Sequence, residues 1–589
     1  MAFQEFGQTS ERRKADQKQK KKFAIAVVAI SVLIILIAAG AFAIVNLDDD
    51  DANKSHGKPI STSSKSVQTM CSSTDYKEVC EKRLSKAISN TSNPEPQDII
   101  KAAIMVVIDE VSKAFHKTDK LKSDDPQVNG AIEDCVELFD HAKDELKSTL
   151  EHVDGTDLQN LPDKAHDIQN WLSAVVSYQQ TCVDGFPEGK LKTKMQKTMT
   201  MARQLTSNAL AIIHEASSIL TMLNIPGFSR RRLLQEGEAV APPLAADGLP
   251  DWIPGDQRRA LRAKALKMPK PNVVVAKDGS GNYKTINRAL KKMPKNYEGR
   301  YVIYIKEGTY KETVMVTKKM VNVSMYGDGS RKTIITGNKN YVDGVRTFKT
   351  ATFAAIGEGF MAQGIGFRNT AGAAKHQAVA LRVQSDRSIF LNCRMEGYQD
   401  TLYTQTHRQF YRSCVVAGTI DFIFGDGAVV LQNCILVVRK PLDNQQNIVT
   451  AQGRTERHET TGIVIQNCRI IPDRKMIPLK NTIKSYLGRP WKEYSRTIIM
   501  ESKIGDLIHP DGWLAWDGDF ALKTLYYAEY NNKGPGSNTT ARVKWPGYKK
   551  ITMERAMKYT VENFIQGGSW IRATGTPVHL GLFSMRGVI

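Results

Sequence analysis

Residues 388–438 read SIFLNCRMEGYQDTLYTQTHRQFYRSCVVAGTIDFIFGDGAVVLQNCILVV, and each short apolar run in this stretch is followed by Asn-Cys or Ser-Cys. With the preceding Asn-Thr pair, the second residues of successive pairs are Thr370, Cys393, Cys414 and Cys434, at steps of 23, 21 and 20 residues. A repeat of about 20–25 residues, with strands and glycine turns but no leucine-rich pattern, indicates a solenoid. The stretch therefore predicts a right-handed parallel β-helix.

Equivalent positions of a parallel β-helix stack on neighbouring coils at the strand spacing, about 4.8 Å. That spacing lies inside the Cα separation that a disulfide requires. We therefore predict a disulfide between Cys414 and Cys434, with a stack of free thiols as the alternative.

Seven residues after three of the stacked positions stand polar side chains, Gln377, Asp400 and Asp421. If the coils are in register, two carboxyl groups lie side by side, and their repulsion separates their pKa values into those of an acid and a nucleophile. Gln377 and Gln399 can donate hydrogen bonds to an oxyanion without adding charge. The alternative is that both aspartates are turn residues, but their apolar settings, YQDTLY and TIDFIFG, favour an active site.

The segment YLGRPW, residues 486–491, has the side chains of a sugar site. Arg489 can bind a carboxylate with two parallel hydrogen bonds, and Trp491 can offer a flat face to a pyranose ring. The chain contains no P-loop, HExxH or GxSxG motif, and its 11 histidines show no metal-like spacing. A serine-triad hydrolase and a zinc enzyme are therefore disfavoured.

The amino terminus predicts entry into the secretory pathway. Residues 23–45 form an uncharged apolar run long enough to span a bilayer, and seven Lys/Arg precede it within residues 1–22. We interpret the run as a signal anchor with a cytosolic basic tail, and a cleaved signal peptide is the alternative. Residues 46–68 read as a stalk. The sequons in the exported part are possible glycosylation sites: Asn53, Asn90, Asn322 and Asn538.

Residues 69–228 show helical periodicity, which predicts a helical bundle. Its four cysteines allow three pairings, of which we prefer Cys71–Cys80 with Cys135–Cys182. Residues 229–255 read as an exposed linker, and the basic cluster in it is a candidate site for a processing protease.

Charge separates the two halves of the chain. Residues 46–229 hold 20 Lys/Arg against 28 Asp/Glu, whereas residues 235–589 hold 52 against 30. A basic domain suggests a polyanionic partner. In an exported protein that partner is an acidic extracellular polymer rather than a nucleic acid.

Five motifs in order give the carboxyl-terminal part, residues 256–589, a resemblance to the plant pectinesterases. They are GTYKE at 308–312, QAVALR at 377–382, QDTLY at 399–403, DFIFG at 421–425 and LGRPW at 487–491. The helical region resembles the pectinesterase-inhibitor domain, which implies a four-helix bundle. The resemblance also implies that the linker is cut at Arg231, Arg232, Leu233 and Leu234.

The resemblance implies that the enzyme needs no metal and no organic cofactor, and it implies a role for each matching residue. Asp421 would be the nucleophile, Asp400 the proton donor, and Gln399 and Gln377 the groups that stabilise the oxyanion. The residues implied in substrate binding, besides Gln377, are Arg489, Trp491 and Thr347. Two positions depart from the family pattern: Asp426 begins an Asp-Gly-Ala where Asn-Ala-Ala is usual, and Arg346 stands where small or hydroxyl residues are common.

The expected reaction is hydrolysis of galacturonic acid methyl esters in pectin, with release of methanol, in the plant cell wall. We also expect the helical domain to inhibit the enzyme until the linker is cut. Three alternatives are open: a glycosidase acting on polygalacturonate, a wall-binding protein without activity, and an inhibitor whose helical domain acts on other enzymes.

Overall fold

The computed structural model describes residues 62–91, 94–156, 160–222 and 270–585. The predictions for the basic tail, the apolar run 23–45, Asn53 and the linker with its processing site lie outside these residues. Within the described ranges, no helix is long and apolar enough to cross a membrane. The prediction of a stalk over residues 46–68 is wrong from Thr62 onward, because a helix begins there.

The amino-terminal domain is built from two short helices and four long ones. They are α1 Thr62–Cys71, α2 Lys77–Ala87, α3 Pro96–Asp119, α4 Pro126–Asp154, α5 Leu161–Asp184 and α6 Lys190–Met222. Proline stands in the first turn of α3, α4 and α5, where its missing N–H breaks no helical hydrogen bond. Asp125 caps α4 by accepting a hydrogen bond from the Gln127 N–H at 2.8 Å.

Two disulfides hold this domain together, as the sequence predicts. Cys71–Cys80 ties α1 to α2, and Cys135–Cys182 ties α4 to α5. Helices α3 to α6 form the predicted four-helix bundle, with buried aliphatic side chains at three- and four-residue steps.

Twenty-six short strands of the described residues form three parallel sheets. The eleven-stranded sheet contains β1 Val273–Val275, β2 Tyr301–Ile305, β5 Val323–Gly327, β8 Met361–Gln363, β11 Ser388–Leu391, β14 Arg408–Arg412, β17 Ala428–Gln432, β20 Gly462–Gln466, β23 Arg496–Met500, β25 Tyr526–Tyr530 and β26 Tyr548–Lys550. The seven-stranded sheet contains β4 Val314–Val316, β7 Phe353–Ala355, β10 Leu381–Val383, β13 Leu402–Thr404, β16 Ile423–Gly425, β19 Asn447–Gln452 and β22 Ser485–Gly488. The eight-stranded sheet contains β3 Gly308–Lys311, β6 Thr333–Gly337, β9 Gly366–Asn369, β12 Arg394–Glu396, β15 Val415–Gly418, β18 Ile435–Val438, β21 Arg469–Pro472 and β24 Lys503–Ile504.

The chain visits the three sheets in turn, and this path is the predicted right-handed parallel β-helix. Short helices flank it: α7 Ile286–Lys291, α8 Met553–Met557, α9 Val561–Ile565 and α10 Gly567–Trp570. Apolar side chains stack along its axis, including Phe353, Phe360, Phe367, Phe390 and Tyr411. Neighbouring rings of this stack lie 4.9–6.2 Å apart.

The repeated Asn-Cys pairs mark one corner of the β-helix, between the eleven- and eight-stranded sheets. The first residue of each pair has left-handed backbone, with φ of 53° at Asn392, 52° at Ser413, 57° at Asn433 and 51° at Asn467. Asparagine is one of the few residues that adopts this conformation readily. The Asn467 amide also donates to the Asn433 side-chain oxygen at 2.9 Å, which links two of these corner residues on neighbouring coils.

The predicted disulfide between Cys414 and Cys434 is wrong, and the alternative of stacked free thiols is correct. Cys393, Cys414, Cys434 and Cys468 are all free and buried. Equivalent Cα–Cβ bonds on stacked coils point the same way, so the thiols stack on one another as free groups and also contact backbone atoms. The Cys434 sulfur accepts from the Cys414 N–H at 3.4 Å, and the Cys414 thiol donates to the Phe390 carbonyl at 3.2 Å.

Candidate active site

Asp400 and Asp421 stand side by side at the start of adjacent strands of the seven-stranded sheet. Leu402 on β13 pairs with Ile423 on β16, which places the two aspartates at the same position of consecutive coils. Both have left-handed backbone, with φ of 62° and 50°. They are therefore turn residues, as the alternative interpretation held, and yet they are buried and face a cavity.

The predicted ladder is out of register at Gln377. Leu381 on β10 pairs with Leu402, an offset of 21 residues, whereas the ladder requires 23 between Gln377 and Asp400. The loop between β9 and β10 absorbs the difference, because the period counted from the Asn-Cys corner does not continue through it. Gln377 nevertheless lines the same cavity as Gln399, Asp400 and Asp421.

Arg489 holds Asp421 with two parallel hydrogen bonds. Its Nε and Nη2 donate to the two carboxylate oxygens at 2.9 and 2.6 Å. The guanidinium also lies over the ring of Trp516, with its central carbon 4.3 Å from the ring centroid. Asp421 therefore has a fixed orientation and a cationic partner.

Burial raises the pKa of both carboxyl groups, but their surroundings differ. The pKa of Asp400 lies well above its ordinary value because the side chain is desolvated and because the charge of Asp421 is close. Burial also raises the pKa of Asp421, and the charge and hydrogen bonds of Arg489 oppose that rise. The arrangement therefore favours Asp400 as the protonated member of the pair and Asp421 as the ionised one.

The two aspartates open onto a cavity of about 370 Å³. The other predicted site residues line it too: Gln377, Gln399, Thr347, Arg489 and Trp491. The side-chain oxygens of Gln377 and Gln399 are buried without a hydrogen-bond partner. Because a buried polar atom is rarely left unpaired, these two oxygens are available to a hydrogen-bond donor of a ligand.

Aromatic side chains that the sequence reasoning missed form one wall of the cavity. Tyr403 and Phe424 stack with centroids 4.3 Å apart, and Trp491 packs edge-on against Phe424 at 5.9 Å. Each of the first two stands three residues after its aspartate, so the shared offset within QDTLY and DFIFG was a usable signal. Trp516 had no such signal, since it follows Arg489 by 27 residues in a loop.

Asp426, one of the departures from the family pattern, is buried outside the cavity lining. Its Oδ1 accepts from Gln452 at 3.1 Å and from Thr461 at 2.6 Å. Burial raises its pKa, and burial together with the charge of Asp426 raises the pKa of Glu459 well above its usual range. This second carboxyl pair is held by its own hydrogen bonds, apart from the aspartates that face the cavity.

One group of side chains in the described residues has the spacing of a metal site: Asp75, Glu456 and His458. It lies between the bundle and the β-helix, away from the cavity lining. Arg457 already pairs with Asp75 at 2.5 Å, and the His458 ring is hydrogen-bonded to Glu456 at 2.6 Å. These contacts fit an ionic link between domains better than a cation site.

The helical bundle forms the other side of the cavity. Residues from α4, α5 and the loop after α5 line it: Gln127, Asp134, Thr181, Asp184, Gly185, Phe186 and Pro187. Tyr403, Phe424 and Phe348 of the β-helix belong to the same buried apolar cluster as the bundle core. The helical domain therefore supplies part of the surface that surrounds the two aspartates.

Ion pairs join the two domains, some at the cavity and others elsewhere along the interface. In each of the following pairs the base comes from the β-helix and the acid from the bundle: Lys318–Glu145, Arg346–Asp134, Lys349–Glu137, Arg387–Asp167, Arg408–Asp167, Lys492–Asp184 and Arg457–Asp75. The charge separation seen along the sequence thus becomes charge complementarity between two faces. The pairing lowers the pKa of Glu145 to about 2, through His407 and Lys318 and against the effect of burial.

A parallel β-helix with paired carboxyl groups, two glutamines facing the cavity and an aromatic wall beneath a basic face defines an enzyme that acts on an acidic polysaccharide. Comparison with known proteins gives the family. Residues 272–568 match the Pectinesterase family model, and residues 65–212 match the model of the plant invertase/pectin methylesterase inhibitor. The chain belongs to the pectinesterase family and carries an inhibitor-type domain at its amino-terminal side.

Individual relatives agree with both assignments. Putative pectinesterase/pectinesterase inhibitor 45 of Arabidopsis thaliana is 52% identical over 521 residues, which cover 88% of this chain and 85% of the relative. Probable pectinesterase/pectinesterase inhibitor 13 of the same plant is also 52% identical, over 88% of this chain and 82% of its own length. The solved pectin methylesterase from carrot is 54% identical with a TM-score of 0.53, and covers 54% of this chain and 99% of its own.

Proposed function

We propose that the pectin methylesterase reaction of this chain uses Asp421 as nucleophile and Asp400 as general acid and base. One observation carries the proposal: the two carboxyl groups are adjacent and buried, and Arg489 forms its two hydrogen bonds with Asp421. That asymmetry separates the pKa values of two groups of the same chemistry.

In the first half of the reaction, an oxygen of the Asp421 carboxylate attacks the carbonyl carbon of the methyl ester. The side-chain amides of Gln377 and Gln399 donate hydrogen bonds to the oxyanion that develops. Asp400 gives its proton to the departing methoxy oxygen, so methanol leaves and an anhydride joins the galacturonate carbonyl to Asp421.

In the second half, Asp400 is ionised and accepts a proton from water. The hydroxide attacks the galacturonate carbonyl, the anhydride bond breaks, and Asp421 leaves as a carboxylate held by Arg489. Asp400 is protonated again, which restores the starting state. The products are methanol and a galacturonic acid carboxyl group, which then releases its proton to solvent; no step uses a metal or an organic cofactor.

Substrate binding rests on the aromatic wall and the basic rim. Trp491, with Tyr403 and Phe424 behind it, offers apolar area to a pyranose ring. Thr347 stands on the cavity rim beside Arg346 and Lys349, whose charges suit the free carboxylates of pectin.

The test of the nucleophile is Asp421→Asn, with Asp426→Asn as the matched control. Both residues are buried aspartates five positions apart, but only Asp421 faces the cavity. Methanol release from methylated pectin should fall by several orders of magnitude in the first variant and stay near the native rate in the second. A rate within tenfold of native for Asp421→Asn would exclude the assignment.

We also propose that the bundle inhibits the β-helix until the linker is cut. The proposal is supported by the ion pairs between the two domains and by the shared apolar cluster. The uncut chain should release methanol more slowly than the cut chain at low salt. The long-range attraction between the basic β-helix and the acidic bundle is screened by salt, so the difference between the two rates should narrow as salt rises. Equal rates at low salt would contradict inhibition.

Cutting at Arg231, Arg232, Leu233 and Leu234 and export through the apolar run 23–45 complete the proposal for the cell wall. Replacing Arg231 and Arg232 by alanine should leave the uncut form in a plant secretory extract, detectable by its mass. Asn90, Asn322 and Asn538 are exposed, as a glycan requires. Glycosidase treatment should therefore lower the mass of the exported chain.

A further inference from the structure

Gly130 occupies an unusual place in the bundle. It lies inside α4, four residues after the first, and is buried. Glycine is the least favourable residue in a helix interior apart from proline. Because glycine has no side chain, it leaves room at this position for a side chain of a neighbouring element.

That neighbour is Arg346 of the β-helix. A Cβ atom on Gly130 would lie 1.7 Å from Nη1 of Arg346 and 2.3 Å from its Cζ, and the three nearest atoms all belong to this guanidinium. Since the arginine is flexible, an alanine at 130 would push the guanidinium aside rather than unfold the helix.

The displaced guanidinium would lose an ion pair. Asp134 stands one turn after Gly130 on the same face of α4, and its Oδ2 accepts from Nε of Arg346 at 2.5 Å. Lys349 adds a second cation at 3.5 Å from the other carboxylate oxygen. Asp134 is almost fully buried, with 4% of its side chain exposed, so the contact is desolvated.

Arg346 also lies on the rim of the catalytic cavity, next to Thr347. The space left by the missing side chain of Gly130, called the notch below, is filled by the guanidinium of Arg346. The notch belongs to the bundle and the arginine to the β-helix, and they meet at the rim of the cavity.

We propose that Gly130, Asp134 and Arg346 form a selectivity lock, by which this bundle recognises its own β-helix rather than pectinesterases with a small residue at the Arg346 position. The lock rests on the proposed inhibition and names its specific contact. A bundle with a larger residue at position 130 does not admit the arginine, and a β-helix without the arginine leaves Asp134 buried without its main partner.

A double-mutant cycle in the exported chain, residues 46–589 with a site-specific protease sequence in the linker, tests the lock. The variants are Gly130→Ala, Arg346→Ser and both together, and the readout is the methanol-release rate after cutting and removal of the bundle, divided by the rate before cutting. The ratio cancels any direct effect of Arg346 on catalysis. Gly130→Ala should lower the ratio about tenfold, because breaking a desolvated charge pair weakens an interface by at least that factor.

In the Arg346→Ser background, Gly130→Ala should change the ratio less than twofold, since the notch then has no arginine to admit. Asp134→Asn keeps the glycine and should lower the ratio as Gly130→Ala does. Gly155→Ala, the same change at the other end of α4, is the control and should leave the ratio native. Independent effects of Gly130→Ala and Arg346→Ser, which multiply in the double variant, would overturn the lock.

Hydrogen exchange separates failure of the lock from failure of inhibition. In the uncut chain, Gly130→Ala should speed amide exchange at residues 346–349, and Gly155→Ala should not. If the native chain has the same rate cut and uncut, inhibition fails, yet this exchange difference still supports the contact. If exchange is also unchanged, the lock is wrong.

Discussion

Arg489→Lys tests what makes Asp421 reactive: the two parallel hydrogen bonds from the guanidinium, or the positive charge alone. Lysine keeps a positive charge, but its single nitrogen cannot reproduce the two parallel hydrogen bonds of 2.9 and 2.6 Å. It also loses the flat contact of the guanidinium with the Trp516 ring. We expect a folded enzyme with a lower kcat and a less well oriented nucleophile.

The size of the effect follows from the burial of the pair. Asp421 has 7% of its side chain exposed and Arg489 has 23%, so the hydrogen bond that lysine would lose is largely shielded from water. A hydrogen bond to a charged group contributes about 1.5–3 kcal/mol, which corresponds to roughly 10- to 150-fold in rate. Weaker stabilisation of the carboxylate also raises the pKa of Asp421, so the acidic limb of the rate profile should move to higher pH.

The assay is methanol release from methylated pectin by the cut enzyme, with kcat and KM measured across pH. Arg439→Lys is a suitable control, because Arg439 is also stacked on an aromatic ring, at 4.0 Å from Tyr398, but does not contact either aspartate. If Arg489→Lys keeps kcat within twofold and leaves the acidic limb in place, the bidentate contact has no catalytic role.

Three further outcomes are expected. The rate of the cut enzyme should follow a bell-shaped curve against pH. It should fall below the pKa of Asp421, because the nucleophile gains a proton, and above the raised pKa of Asp400, because the acid loses one. A rate that stays constant up to alkaline pH would contradict the role of Asp400. Trp491→Ala should raise KM more than it lowers kcat, whereas unfolding with an unchanged KM in the folded fraction would make the indole a core residue. Alkylation of the denatured, unreduced chain should modify four thiols by mass; modification of only two would restore a disulfide in the β-helix.

Much of the architecture is local and could be read from the sequence. The Asn-Cys corners recur because each coil needs a residue that tolerates left-handed backbone, and that need depends on the coil rather than on distant contacts. The bundle and its disulfides follow from helical periodicity and cysteine positions. The aspartates could be paired because Leu402 and Ile423 continue the same 21-residue offset without an insertion.

The tertiary structure decided the features that depend on the direction of side chains rather than on the spacing of residues along the chain. The four thiols of the β-helix are free because stacked side chains point in parallel, a fact that the Cα spacing does not contain. Gln377 reaches the cavity from a coil with another offset, and Trp516 reaches Arg489 from a distant loop. The contact of Gly130 with Arg346 joins two domains across 216 residues, and only their docking brings a helix notch and a cavity rim together. The sequence supplies the glycine, the arginine and the charges that can pair, but the packing of the two domains decides which of these residues come into contact.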